Sequence, residues 1–229
     1  MPYIDSILKE NRIFYPSHEF SRKSRIKNMQ EYSRLYKKSI EAPEKFWGEK
    51  ANELDWFRKW DIVLRNDMGF FKWFEGGQLN VSHNCLDRIV KSGKKSKIAL
   101  IWEPETGESK KYTYEELLKE VCKFANVLKK IGVKKGNVVQ IYLPMIPELP
   151  IAMLACARIG AIHSVVFAGF SSDALKDRIQ DSKADLLITS DGSFRNEKVY
   201  PLKENADAAL KNCPTIKNVV VVKRAENNA

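Results

Sequence analysis

No G-x-G-x-x-G can be drawn anywhere in this 229-residue chain, because its eleven glycines never fall two apart. G-x-x-x-x-G-K-[ST] is missing as well, so neither common glycine-rich phosphate loop is written in it. Cysteine is scarce, and Cys85, Cys122, Cys156 and Cys213 show no C-x-x-C spacing. That pattern excludes a disulfide framework and reads as reduced, buried thiols, the first three among apolar, helical residues. His83 and Cys85 stand two apart on a predicted helix, point different ways and have no second ligand pair, so no metal site is expected. His163 lies inside an apolar strand with no local carboxylate to orient it, and reads as a core histidine. Long apolar runs are absent too. The best, Leu149 to Phe170, is interrupted by Arg158 and His163 and is too short to span a bilayer. The opening MPYIDSILKENR puts charges where a secretion signal needs an apolar core. The expectation is a soluble, cytoplasmic protein without a membrane partner.

What is present supports a packed α/β chain. With 44% hydrophobic residues, the length can bury a substantial core. The formal net charge is +10, from 39 Lys+Arg against 29 Asp+Glu, which favours anionic partners. The lysines are dispersed in predicted turns and helix ends, as at Lys94, Lys95, Lys97, Lys134 and Lys135, so a solvated surface is expected rather than a nucleic-acid face.

Residues 1–95 read as a helical, aromatic-rich region and 96–229 as part of a helix-flanked α/β domain. Residues 1–70 carry helical aromatic stripes (Tyr32, Leu35, Tyr36; Phe46, Trp47; Trp56, Phe57, Trp60), a signature of packing surface. Pro43 suits the first turn of a helix. Asn80 is placed to cap a short helix to Lys91, with Gly93 ending it. The period then changes. Lys97 to Trp102 and Lys110 to Thr113 read as a hairpin. Thr113 and Glu116 form a capping box ahead of an apolar face through Leu117, Val121, Leu128 and Ile131. Strands at 138–143, 162–167, 185–189 and 218–223 alternate with helices at 148–159, 172–181 and 202–211. Continuous apolar strands in this order imply a parallel sheet covered on both faces, with right-handed crossovers.

Ligands of such sheets sit beyond the carboxyl ends of the strands. The loop Phe167-Ala168-Gly169-Phe170-Ser171 offers a flat ring, a glycine permitting close approach or positive φ, and a serine to cap the next helix. The following loop brings Arg195 and Lys198. Together they could hold a phosphorylated adenine nucleotide; an ordinary turn with two surface cations is the equally open alternative. Asp87 and Arg88 read as a capped, solvated turn.

The stretches WFEGGQLNVSHNCLDR, IWEPETGESKKYTYEELL and GVKKGNVVQIYLPMIPELPIAMLACARIGAIHSVVFAGFSSDAL closely resemble the N-terminal portion of the acetyl-CoA synthetases. These AMP-forming acetate–CoA ligases belong to the adenylate-forming superfamily. The resemblance implies acetate, ATP and CoA as substrates: carboxylate and ATP give acyl-AMP and pyrophosphate, and the CoA thiol then attacks the mixed anhydride. It implies Mg2+ in the complete enzyme, with no ligands in this chain. It puts the ATP-phosphate loop, the acyl pocket and the catalytic lysine beyond Ala229, so no catalytic residue is expected here. The chain alone is expected to be inactive, with a complementary C-terminal chain as its partner. Phe167, Ala168, Gly169, Arg195 and Lys198 match the family's CoA-nucleotide site. Ile89 replaces a common histidine, and Lys198 a usual arginine, keeping charge but losing the bidentate fork. Propionyl- or acetoacetyl-CoA ligases, and a non-catalytic CoA- or nucleotide-binding module, are the alternatives.

Overall fold

A computed structural model describes residues 12–105, 107–196 and 198–225. The chain divides into two compact units. One comprises residues up to Leu54 together with Trp60–Gly76; the other comprises Asp55–Lys59 and the chain from Gly77 onward.

In the first unit, helices α1 (His18–Lys23), α2 (Met29–Glu41) and α3 (Pro43–Ala51) precede a two-stranded hairpin, β1 (Ile62–Asp67) and β2 (Phe70–Glu75). Asn28 caps α2 by accepting the Glu31 N–H at 2.8 Å, and Pro43 occupies the first turn of α3. Tyr32 and Tyr36, one helical turn apart, stack at 6.1 Å. Trp47 meets Phe46 and Trp73 edge-on. The hairpin corrects the helical reading of residues 62–70. Met68 and Gly69 both adopt positive φ, 50° and 89°, between the paired Asp67 and Phe70. Two such residues in a two-residue loop give the twist that antiparallel strands need. Gly69 was the available signal; Met68 beside it, in place of the usual Asn or Asp, disguised it.

In the second unit, Asn80 Oδ1 accepts the His83 N–H at 3.1 Å, capping a helical stretch as its sequence predicts. That stretch contains two wide-turned π segments, His83–Asp87 and Val90–Lys94, and Gly93 has φ 81°. Asn84 clasps Asp55 by two bonds, accepting its N–H at 2.8 Å and donating to its carbonyl at 2.9 Å. The hairpin β3 (Ile98–Trp102) and β4 (Lys110–Thr113) leads into α4 (Tyr114–Lys130) through the expected capping box. Thr113 Oγ1 accepts the Glu116 N–H, and the Glu116 carboxylate accepts the Thr113 N–H at 2.8 Å. Leu117, Val121, Ala125 and Leu128 form the buried face of α4.

The parallel sheet has the order β10–β7–β5–β6: Asn218–Val222, Leu186–Ser190, Val138–Tyr142 and Ile162–Val165. One face packs on α4 and α5 (Glu148–Ile159) through Val139, Ile141, Leu186 and Ile188. The other carries α6 (Ser172–Ser182) and α7 (Leu202–Leu210) over Tyr142 and Leu187. The central strands β5 and β7 are buried throughout except at Val138. The expectation that every strand is covered on both faces fails at the margins. Ile162 and Val165 of β6 are 55% and 44% exposed, and Val219 and Val221 of β10 are 36% and 39%. Apolar composition alone does not separate a margin strand from a central one. His163, on β6, is half-buried rather than part of the core.

Two other expectations change. Asp87 is no solvated turn residue: it accepts two hydrogen bonds from Arg158, at 2.7 and 2.9 Å, across 71 positions of sequence. The fork draws the Asp87 carboxyl below its usual range and Arg158 upward. Asn80 Nδ2 donates to the Ala157 carbonyl at 2.8 Å beside this pair. Of the thiols, Cys156 and Cys213 are buried and Cys122 half-buried, whereas Cys85 is exposed. Desolvation pushes the Cys156 thiol up to about 12.

Candidate functional site

All four strands of the parallel sheet deliver residues from their carboxyl ends to one cavity of about 390 Å³. β5 is followed by Pro144 and Met145, β6 by Phe167, β7 by the short hairpin β8 (Ser193–Arg195) and β9 (Lys198–Tyr200), and β10 by Arg224. Trp102, at the end of β3, closes a side and donates its indole N–H to the Met145 carbonyl at 2.8 Å. Position beyond the strand ends follows from parallel topology, which gathers every β-to-α loop at that rim.

The Phe167–Phe170 loop is fixed from beneath. Tyr142, fully buried at the end of β5, points its hydroxyl at the Ala168 carbonyl (3.1 Å) and the Phe170 carbonyl (2.7 Å). Burial raises the Tyr142 phenol above its ordinary range, with an opposing hydrogen bond from Asn205, so the group stays a neutral donor. Gly169 does not need positive φ, the first of the two roles open to it. Its role is close approach: a Cβ there would lie 2.5 Å from Cε1 of Phe167. The Phe167 ring is 60% exposed and meets Phe170 edge-on at 5.8 Å. Ser171 caps α6 by accepting the Ala174 N–H at 3.4 Å.

Phe167, Ala168, Gly169 and Arg195 therefore line one cavity. Lys198 does not line it, although its backbone pairs with Arg195 in the β8–β9 hairpin. At the hairpin turn, Asn196 has φ 50° and donates its N–H to the Glu105 carboxylate, another cavity wall. Arg224 is the residue that sequence reasoning missed. Its guanidinium lies 5.0 Å from the Trp102 ring centre and 4.9 Å from that of Phe194. The only sequence signal was its place directly after an apolar strand. With aromatic surface, two arginines and main-chain groups along a glycine-containing loop, the cavity can take a flat, apolar-faced group bearing negative charge. Among the described residues no group of three or more His, Cys, Asp or Glu could hold a metal ion, and no helix is long and apolar enough to cross a membrane.

The family model for AMP-binding enzymes matches residues 87–229, and that for the acetyl-coenzyme A synthetase N-terminus matches residues 32–85. The chain belongs to the AMP-binding enzyme family. Its relatives include the acetyl-coenzyme A synthetases of Deinococcus radiodurans (50% identical over 97% of this chain) and Leptospira biflexa (55% over 95%). The chain spans 34% of the length of each. The acetoacetyl-CoA synthetase from Streptomyces lividans shares the fold, with a TM-score of 0.83 at 24% identity over 93% of this chain and 35% of that one. The α/β architecture read from the sequence is thus that of the adenylate-forming enzymes.

Proposed function

We propose that the cavity receives the nucleotide end of coenzyme A, and that the chain contributes this part of a cytoplasmic AMP-forming acetate–CoA ligase. The observation that carries the reading is the convergence of Phe167, Gly169 and Arg195 on a single cavity at the strand ends. The Phe167 ring supplies a stacking face for adenine. Arg195 supplies charge for a phosphate, and Gly169 keeps the approach open. Holding the nucleotide here leaves the flexible pantetheine arm free to carry its thiol to an acyl-adenylate formed elsewhere, where it displaces AMP. The relatives that are about half identical over nearly the whole chain are named acetyl-coenzyme A synthetase, which supports acetate as the acid.

Isothermal titration of CoA into the 229-residue chain tests the reading. Measurable binding is expected, weakened at least tenfold by Arg195→Ala, the cost of losing a charge-assisted contact. Absence of CoA binding by the wild-type chain overturns it. The chain by itself is expected to support no acetate-dependent exchange of pyrophosphate into ATP. Exchange is expected once the remaining part of such a ligase is supplied as a C-terminal chain. Exchange by the pure 229-residue chain refutes that division of labour.

A further inference from the structure

The cavity contains a second arginine, and we propose that Arg224, rather than Lys198, is the partner of Arg195 in meeting a phosphate of the bound nucleotide. The inference rests on the coenzyme reading above and assigns within it a residue that the β7–α7 loop does not contain.

Arg224 is held as a fixed donor. Its backbone N–H and that of Ala225 donate to Oδ1 of Asp191, at 2.7 and 2.9 Å. Asp191 is itself 4% exposed and also accepts the Gly192 N–H at 2.8 Å, so the strand end that carries Arg224 is tied to the end of β7. The guanidinium then lies against Trp102 and Phe194, both of which line the cavity. Ring contacts of this kind engage the face of a guanidinium and leave its N–H donors, which lie in its plane, for an oxyanion. Among the described residues the Arg224 guanidinium forms no ion pair, so its charge is not already neutralised. Arg195 lines the same cavity on the neighbouring hairpin. Two arginines there give a phosphate two forks, whereas Lys198, outside the lining, offers a point charge on a flexible stem. The carboxylates of Glu103 and Glu105 also line the cavity. Glu105 is occupied by the Asn196 N–H, which turns part of its charge toward the hairpin.

The test is calorimetric titration of CoA, adenosine 3′,5′-bisphosphate and adenosine into the wild-type chain, Arg224→Gln and Lys198→Gln. For Arg224→Gln the expected result is about a tenfold loss for CoA and the bisphosphate, the usual cost of one charge-assisted hydrogen bond, with adenosine unchanged. Lys198→Gln is expected to stay within about twofold for all three, as exposed charges do. Equal binding of the bisphosphate by Arg224→Gln and wild type overturns the assignment while leaving the coenzyme reading intact. So does a loss that is the same for adenosine, because the arginine would then serve only the stack. A wild-type chain that binds none of the three overturns both. Should the glutamine variant melt early, Arg224→Lys puts the same question with the charge retained. A few-fold loss confined to the phosphorylated ligands supports the fork, and none refutes it.

Discussion

Removing one oxygen from Tyr142 isolates what holds the cavity's aromatic loop in place. Tyr142→Phe keeps the ring, so the fully buried site is still filled and no void opens. What disappears is the donor shared by the Ala168 and Phe170 carbonyls, at 3.1 and 2.7 Å, together with the oxygen that meets Asn205, an exposed residue that water can satisfy instead. A buried acceptor left without its partner costs about 1–3 kcal/mol. The value expected is near the lower end, about 1–2 kcal/mol, because Phe167 and Phe170 are 60% and 40% exposed and the loop can turn its carbonyls toward water. For a chain of this size that corresponds to a fall in Tm of roughly 2–8 °C. The same relaxation should loosen Phe167, so CoA affinity is expected to fall by about three- to tenfold, each tenfold being about 1.4 kcal/mol. Urea unfolding and calorimetric titration, run on wild type and variant together, read the two effects. A variant that melts with wild type and binds CoA equally well would refute the argument that this hydroxyl positions the loop.

Other outcomes follow from single contacts. Gly169→Ala brings a Cβ within 2.5 Å of the Phe167 ring, which must swing aside. Stability is expected to change by under about 1 kcal/mol because the ring is exposed, while CoA affinity drops several-fold by titration. Asp87→Asn breaks the Arg158 fork and is expected to cost about 2–3 kcal/mol in urea unfolding, since both side chains are largely buried. Arg158 lowers the Asp87 pKa in the fold. The wild-type pair therefore contributes fully above the unfolded carboxyl value of about 3.9, and its contribution is lost as pH falls through the lower folded value. The stability gap between wild type and Asp87→Asn should close on acidification; a gap constant down to strongly acid pH would contradict it. Native thiol labelling with a disulfide reagent should modify exposed Cys85 first and Cys156 last, the latter being buried with its pKa at about 12. Peptide mapping that finds Cys156 labelled first would reject this order.

Local rules made most of the second unit legible. The Thr113–Glu116 box, the apolar face of α4 and the four apolar strands each depend on residues within a turn or two of one another. Parallel topology alone places Phe167 and Arg195 at one rim, and both line the cavity there. What escaped was long-range or disguised. Nothing near Asp87 in sequence announces Arg158, 71 positions on. Arg224 looks like a surface cation until the fold lays Trp102 and Phe194 against it. The β1–β2 hairpin hid behind an aromatic run whose turn uses Met68 where asparagine or aspartate would have been telling. Lys198 shares a loop with Arg195 in sequence, yet of the two only Arg195 lines the cavity, a distinction that spacing along the chain does not carry.

Tyr142 grips main-chain oxygens and ignores what the gripped residues carry. Exposed Phe170 can thus be exchanged for other side chains with both hydrogen bonds kept, whereas half-buried Ala168 packs on the core beneath and phenylalanine in place of the tyrosine loses the donor. Selection acting on the loop is therefore free to retune what the cavity touches, provided the one phenol in the middle of the sheet is kept.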